Sequence, residues 1–309
     1  MKKTFLVLAC LASGCGDDSA GCEDSKRPFE LSFSAVAGDA VVGCNSPMTV
    51  EGPNGPVRIG ISDVRFYVSD MLAFDAAGNA LELDLDENPF QYRSDSGEVA
   101  LVDLTDRSGD CAPETIDFAE GTERVNESVK GLVSGDVARV SFVVGVPQPL
   151  MKQVVTDFTA EGAPSPLNEM HWSWALAHRH LVFNFSVRGP AGDGDGYVHV
   201  GSLDCGGDGV RALTDRGACG RINSPRVDIE VGSSRAEVGV DLSTLLEGLD
   251  FVTPIRDPTT FELLGEGPGV ECHSGLDTQP DCVNVFEALG IDTADGSAEA
   301  SGNRTFVSR

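Results

Sequence analysis

Apolar and polar residues alternate in short runs along most of the chain, and Gly, Pro, Asn or Asp interrupts the alternation every few residues. A period of two buries one face of an extended strand, and the interrupting residues supply turns. Runs of this kind occupy residues 29–36, 57–74, 97–104, 137–146, 180–187, 197–203, 226–231 and 237–242, and each is read as a β-strand. Only 242–249 and 282–289 carry a helical pattern, the first opened by Asp241 or Ser243 as a cap and the second stopped by Gly290. Pro147-Gln148-Pro149 and Pro164-Ser165-Pro166 break the middle of the chain, yet strands with complementary patterns lie on both sides. The expected fold is all-β: a single antiparallel β-sandwich domain with long loops, short accessory helices and disulfides. The 36 Gly and 16 Pro among 309 residues agree with a chain of many turns.

The first residues depart from this pattern. Lys2 and Lys3 precede an apolar stretch from Phe5 to Ala12, followed by Ser13-Gly14-Cys15. Basic start, short apolar run and small-residue cleavage site together read as a secretory signal peptide over 1–14. A cleavage site ending in cysteine resembles that of bacterial lipoproteins, which makes Cys15 the expected lipidation site and 15–28 a polar tether. The sandwich is then expected over 29–291, with a small, acidic C-terminal tail over 292–309. No later stretch approaches the roughly 20 apolar residues a spanning helix needs. Export to the periplasm, or anchoring at the outer membrane, is the expected localisation.

Cysteine usage agrees with export. Nine are present, and beyond Cys10 and Cys15 there remain Cys22, in the tether, and Cys44, Cys111, Cys205, Cys219, Cys272 and Cys282. Thiols in an oxidising compartment pair, and no C-x-x-C metal motif occurs. Loop economy favours Cys205 with Cys219 and Cys272 with Cys282, leaving Cys44 with Cys111, although six cysteines allow about 15 connectivities.

Charge and motifs exclude several functions. With 22 Lys and Arg against 49 Asp and Glu, the formal net charge is −27, which repels nucleic acid. No G-x-S-x-G, H-E-x-x-H, P-loop or dinucleotide fingerprint is present, so no enzyme is expected. The five histidines are more informative. His171, His178, His180 and His199 flank or follow the two tryptophans, Trp172 and Trp174. Strict alternation along one strand sets Trp172, Trp174, His178 and His180 on one face, and Ser173 and Arg179 on the other. A second strand after a Gly-rich turn brings His199 onto the first face. Converging imidazoles in an exported chain with oxidised thiols suit copper or zinc. The alternative is that the tryptophans are core residues and the histidines make ordinary hydrogen bonds.

Several blocks, taken in order, resemble the MbnP-like family of exported copper proteins, named for a member encoded beside methanobactin genes. They are Arg65-Phe66-Tyr67-Val68-Ser69-Asp70, Val99-Ala100-Leu101-Val102-Asp103, Gly145-Val146-Pro147, Trp172-Ser173-Trp174 preceded by Pro166-Leu167-Asn168, His199-Val200-Gly201-Ser202 followed by Cys205, and Asp281-Cys282 to Leu289-Gly290. The resemblance spans about residues 29 to 291. It implies a four-cysteine motif at Cys205, Cys219, Cys272 and Cys282. It also implies a partner, a diheme protein of the cytochrome c peroxidase/MauG type, that oxidises the first tryptophan of W-x-W to kynurenine. The modified protein then binds one Cu(I).

Carried onto this chain, Trp172 is the modified residue and Trp174 its neighbour, with His199 the first choice of ligand and His180, His178 and His171 the candidates for a second. Relatives often have a histidine shortly after Gly-Val-Pro, where this chain has Leu150-Met151-Lys152, and Gly-Tyr-Lys-Phe after W-x-W, where it has Ala177-His178-Arg179-His180. His273 stands where methionine is common and reads as a surface-loop histidine. The implied function is extracytoplasmic copper handling. The competing expectation is a metal-free acidic envelope lipoprotein that acts as a binding module.

Overall fold

The computed structural model describes residues 26–106, 108–111, 125–173, 177–205, 213, 218–257, 259–260 and 262–309. The expected signal peptide and most of the tether, with Cys10, Cys15 and Cys22, lie outside the described residues, as does Trp174. In chain order the strands are β1 (Arg27–Ala37), β2 (Ala40–Val41), β3 (Met48–Gly52), β4 (Gly55–Phe74), β5 (Ala80–Leu81), β6 (Leu83–Leu85), β7 (Gln91–Ser94) and β8 (Gly97–Asp103). They continue as β9 (Ser128–Val133), β10 (Arg139–Val144), β11 (His171–Ser173), β12 (Ala177–Gly189), β13 (Gly192–Gly201), β14 (Arg226–Glu230), β15 (Arg235–Asp241) and β16 (Val252–Arg256). The last are β17 (Leu263–Cys272), β18 (Leu289–Ile291), β19 (Ala298–Asn303) and β20 (Phe306–Ser308). The helices are α1 (Gln148–Asp157), α2 (Leu242–Leu245) and α3 (Asp281–Ala288).

Two sheets pack as a sandwich. The smaller runs β20-β15-β1-β9-β6, with β2 on β1; the larger runs β14-β10-β4-β12-β13-β17-β16, with β3, β5, β8 and β11 on its strands and β7 on β8. The alternation read from sequence closes the space between them. Phe33 of β1 meets Phe66 of β4 and Phe142 of β10 edge-on at 5.3 and 5.9 Å, and Phe306 of β20 meets the same two rings at 5.4 and 6.0 Å. Edge-to-face packing of this kind adds to the burial of large apolar rings. Most pairs are antiparallel, as expected, but β1 runs parallel to β15 and β13 parallel to β17.

A second apolar cluster covers the outer face of the larger sheet. Tyr67, Val99, Leu101 and Val182 on that face are buried beneath Leu150, Met151 and Val154 of α1 and beneath Leu167. Sequence reading took the Pro147-Gln148-Pro149 segment as a break. It opens α1 instead, because proline is tolerated in a first helical turn, where no backbone partner is lost. The segment 292–309, expected as a tail, is folded in: β19 pairs with β18 and β20 with β15, burying Phe306. Three disulfides join Cys44 to Cys111, Cys205 to Cys219 and Cys272 to Cys282, the pairing that loop economy favours. Such bonds place the fold in an oxidising compartment. Among the described residues no helix is long and apolar enough to cross a membrane.

Candidate metal site

β12 and β13 form the hairpin that the Gly-rich turn predicts, and their register decides which side chains share a face. Val182 lies opposite His199 and Asn184 opposite Tyr197, but Arg179 lies opposite Gly201 because the register shifts between Arg179 and Leu181. One extra residue in a strand reverses the facing of everything beyond it. Arg179 therefore shares the face of His199, where strict alternation had set it opposite, and His180 turns away. The face in question is the outer one, with Tyr67 and Val182, and not the space between the sheets.

His199 is 7% exposed, and its Nε2 lies 2.7 Å from Asn184 Oδ1, so that nitrogen carries the ring proton and Nδ1 is left with its lone pair. Nδ1 faces His273 Nδ1 at 2.9 Å, with the two ring centres 4.7 Å apart. His273 follows β17, whose parallel pairing with β13 sets Glu271 beside Tyr197 and carries the chain two residues further to this spot. His273, read from sequence as a surface-loop histidine, sits in the bend that follows β17 with its side chain 34% exposed and its ring against that of His199, and its backbone N–H is fixed by Gln279 Oε1 at 2.8 Å. Its other nitrogen, Nε2, lies 3.9 Å from Glu271 Oε1. Tyr197 stacks on the His273 ring at 6.1 Å and meets His199 edge-on at 6.0 Å.

Trp172 lies against the pair, its ring 6.2 Å from His199 and 6.4 Å from His273. Its Nε1 is buried without a hydrogen-bond acceptor among the described residues. Gly201 makes this approach possible, since a Cβ there would stand 2.9 Å from Nε1. The Arg179 guanidinium lies 5.6 Å from the indole centre and donates to the His171 carbonyl at 3.0 Å, which holds β11 in place.

The electrostatics favour unprotonated imidazoles. Burial, then the neighbouring His273, Arg179 and Arg65, push His199 far below the usual histidine range. Burial also lowers His273, and Arg179 adds to this while Glu271 opposes it. Neighbouring Arg65 is itself buried, with its guanidinium on Asp63 at 2.9 Å and Glu169 at 3.0 Å.

The remaining expected ligands go elsewhere. His180 Nδ1 lies 3.0 Å from Ser224 Oγ and 3.3 Å from the Asn223 carbonyl, and Nε2 lies 3.3 Å from Ser202 Oγ. Both of its nitrogens are spoken for in the protein interior. His178 Nε2 donates to the Leu167 carbonyl at 2.7 Å, and the ring meets Tyr67 edge-on. Burial lowers His178 and His180 to about 4 each. His171 is half-buried, with its ring 6.4 Å from that of His178. One further group of metal-binding residue types, Cys44, Asp106 and Cys111, surrounds a closed disulfide and so offers no thiolate.

Fold and site together define a disulfide-linked β-sandwich of an oxidising compartment, with an imidazole pair and an indole gathered on the outer face of its larger sheet. The chain belongs to the MbnP family, whose model matches residues 26–261. It is similar to the solved structure of MbnP from Methylosinus trichosporium, at 26% identity over 91% of this chain and 97% of that one, with a TM-score of 0.63. No curated protein matches it by sequence.

Proposed function

We propose that this protein is an exported copper carrier in which His199 and His273 hold one Cu(I), and that oxidation of Trp172 to kynurenine by a diheme partner completes the site. The observation that carries the reading is the pair of Nδ1 atoms facing one another at 2.9 Å beside Trp172. A cuprous ion takes few, soft-to-borderline donors, and two neutral imidazoles supply them. Both rings resist protonation, so the nitrogens stay available near neutral pH. The indole N–H has no lone pair to offer a metal. Opening its pyrrole ring replaces it with an aniline nitrogen and a ketone at a position where Nε1 has no acceptor among the described residues. Copper bound there is cargo, and the residues hold it in place. The lipid anchor at Cys15 fits the same role by keeping the carrier at a membrane surface.

The test is co-production with the diheme protein encoded nearest its gene, followed by elemental analysis and peptide mass. The expected result is about one copper per chain and, on the peptide containing Trp172, a mass change equal to one carbon lost and one oxygen gained. Unmodified Trp172 with no copper in the co-produced protein favours the metal-free binding module instead. His273→Ala should lose copper while still folding. Full copper in that variant removes His273 from the site.

A further inference from the structure

Beside the start of α1 the larger sheet carries an open cavity of about 650 Å³, which none of His199, His273 and Trp172 lines. A row of residues crosses it on three neighbouring strands. Ser69 of β4 pairs with Val143 of β10, and Val143 with Arg226 of β14, so the three side chains share one face. Two strand spacings set Ser69 and Arg226 about 10 Å apart at the backbone. Between Ser69 and Leu72, β4 holds one residue more than β10 does, and Asp70 in that bulge has φ +48° and is exposed. Asp70 and Arg226 thus stand as opposite charges on one cavity, and neither has an ion-pair partner among the described residues.

Opposite charges that line one cavity without meeting leave room for a molecule that carries both. Two further features prepare the positive end. α1 begins at the cavity with Pro147 and Gln148, with no side-chain cap and no acidic residue in its first turn, so nothing of that kind answers its leading N–H groups and its dipole. Ser69 is 1% exposed, and its Oγ has no hydrogen-bond partner among the described residues, where buried hydroxyls are as a rule paired. Val143, Val146, Pro149 and Ile222 add apolar lining. We propose that this cavity binds a free α-amino acid with an apolar side chain, its carboxylate toward Arg226, Ser69 and the start of α1 and its ammonium on Asp70. Asp70 follows Ser69 directly, which suits two charged groups borne on a single carbon. The volume lies in the range of small-molecule sites. A zwitterion also suits the chain as a whole, since a formal charge of −27 repels a net anion, whereas a simple cation would leave Arg226 without a partner. The site is independent of the copper reading.

The full mature chain is titrated by calorimetry with L-leucine and L-phenylalanine, then with N-acetyl-L-leucine, which lacks the ammonium, and L-leucinamide, which lacks the carboxylate. At least one of the two amino acids should bind, and each analogue should bind at least about tenfold more weakly than leucine, the scale of one charge-assisted hydrogen bond. Arg226→Gln and Asp70→Asn should each weaken the amino acid by a similar factor, asparagine being chosen because it tolerates the left-handed backbone at this position. In Asp70→Asn the N-acetyl analogue should lose its disadvantage, and in Arg226→Gln the amide should lose its own. Failure of wild type to bind either amino acid overturns the proposal. So does equal binding by wild type and both variants, which puts the ligand elsewhere on the protein. Analogues that bind wild type as well as leucine does overturn it too, and that comparison needs no variant to fold. Copper content is measured on the same samples and should not change in either variant.

Discussion

Gly201 offers the sharpest test of how the site is assembled. A Cβ at this position would lie 2.8 Å from the His178 carbonyl oxygen and 2.9 Å from both the Arg179 Cα and Trp172 Nε1. Ordinary contacts of this kind sit at about 3.5–4 Å, so relief of roughly half an ångström or more is needed on three sides. Two of those neighbours are backbone in a paired strand and cannot swing away, which leaves the indole to move. Overpacking of this sort costs about 1–3 kcal/mol. At roughly 2–4 °C per kcal/mol for a domain of comparable size, Gly201→Ala should lower the melting temperature by about 2–12 °C. Displacing Trp172 from His199 and His273 should also reduce both its conversion and the copper content of co-produced protein. Gly232→Ala is the control, since nothing lies within 4 Å of a Cβ there. The assay is thermal denaturation followed by circular dichroism, with copper and peptide mass measured on the same samples. If Gly201→Ala melted with the wild type and carried full copper and full modification, the close approach of indole and β13 would be refuted.

Other predictions concern residues near the site. Asp103 is buried, its Oδ2 has no partner among the described residues, and burial pushes its carboxyl up to about 7 against the pull of Arg65. The folded state therefore holds this proton more tightly than the unfolded one, and the resulting stability, complete below about pH 4, is lost as pH rises to about 7. Asp103→Asn should flatten that loss, leaving the variant about 1–3 kcal/mol more stable than wild type near pH 8 and no more stable near pH 4, by urea unfolding at both. His180→Ala should cost about 2–3 kcal/mol through the stranded Ser202 and Ser224 hydroxyls and the space left behind, yet leave copper content unchanged. Copper lost in stably folded His180→Ala would return His180 to the ligand set.

How much of this could be read from the chain depends on which physical signal each element carries. Strand 226–231 announces itself by alternation, because one face is buried and the other is not, whereas 57–74, buried on both faces through its middle, shows itself by a long run of β-branched and aromatic residues. The helix Asp281–Ala288 was legible from its apolar spacing and the glycine that ends it. β17 was not. Its sequence, LLGEGPGVEC, has neither alternation nor β-branched residues at its start, and reads as a loop. It becomes a strand by pairing with β13, whose Gly194 lies closely against the Pro268 backbone, a contact between segments far apart in sequence. The packing of His273 against His199 was not visible for that reason, as its position follows from β17. Trp172 and His199 were found because each sits beside a recognisable block. Arg179 was set on the wrong face because a bulge is a matter of register between strands and leaves no mark in one strand's composition.

His273 comes directly after Cys272, and the bond from Cys272 to Cys282 ties the end of β17 to α3. One arm of the imidazole pair is therefore anchored by a covalent link that forms only after the chain has left the reducing cytoplasm. A newly made chain, its sulfurs still apart, lacks that anchor. On the copper reading proposed above, the crosslink and a firm grip on the ion would arrive together, an order of events set by two adjacent residues.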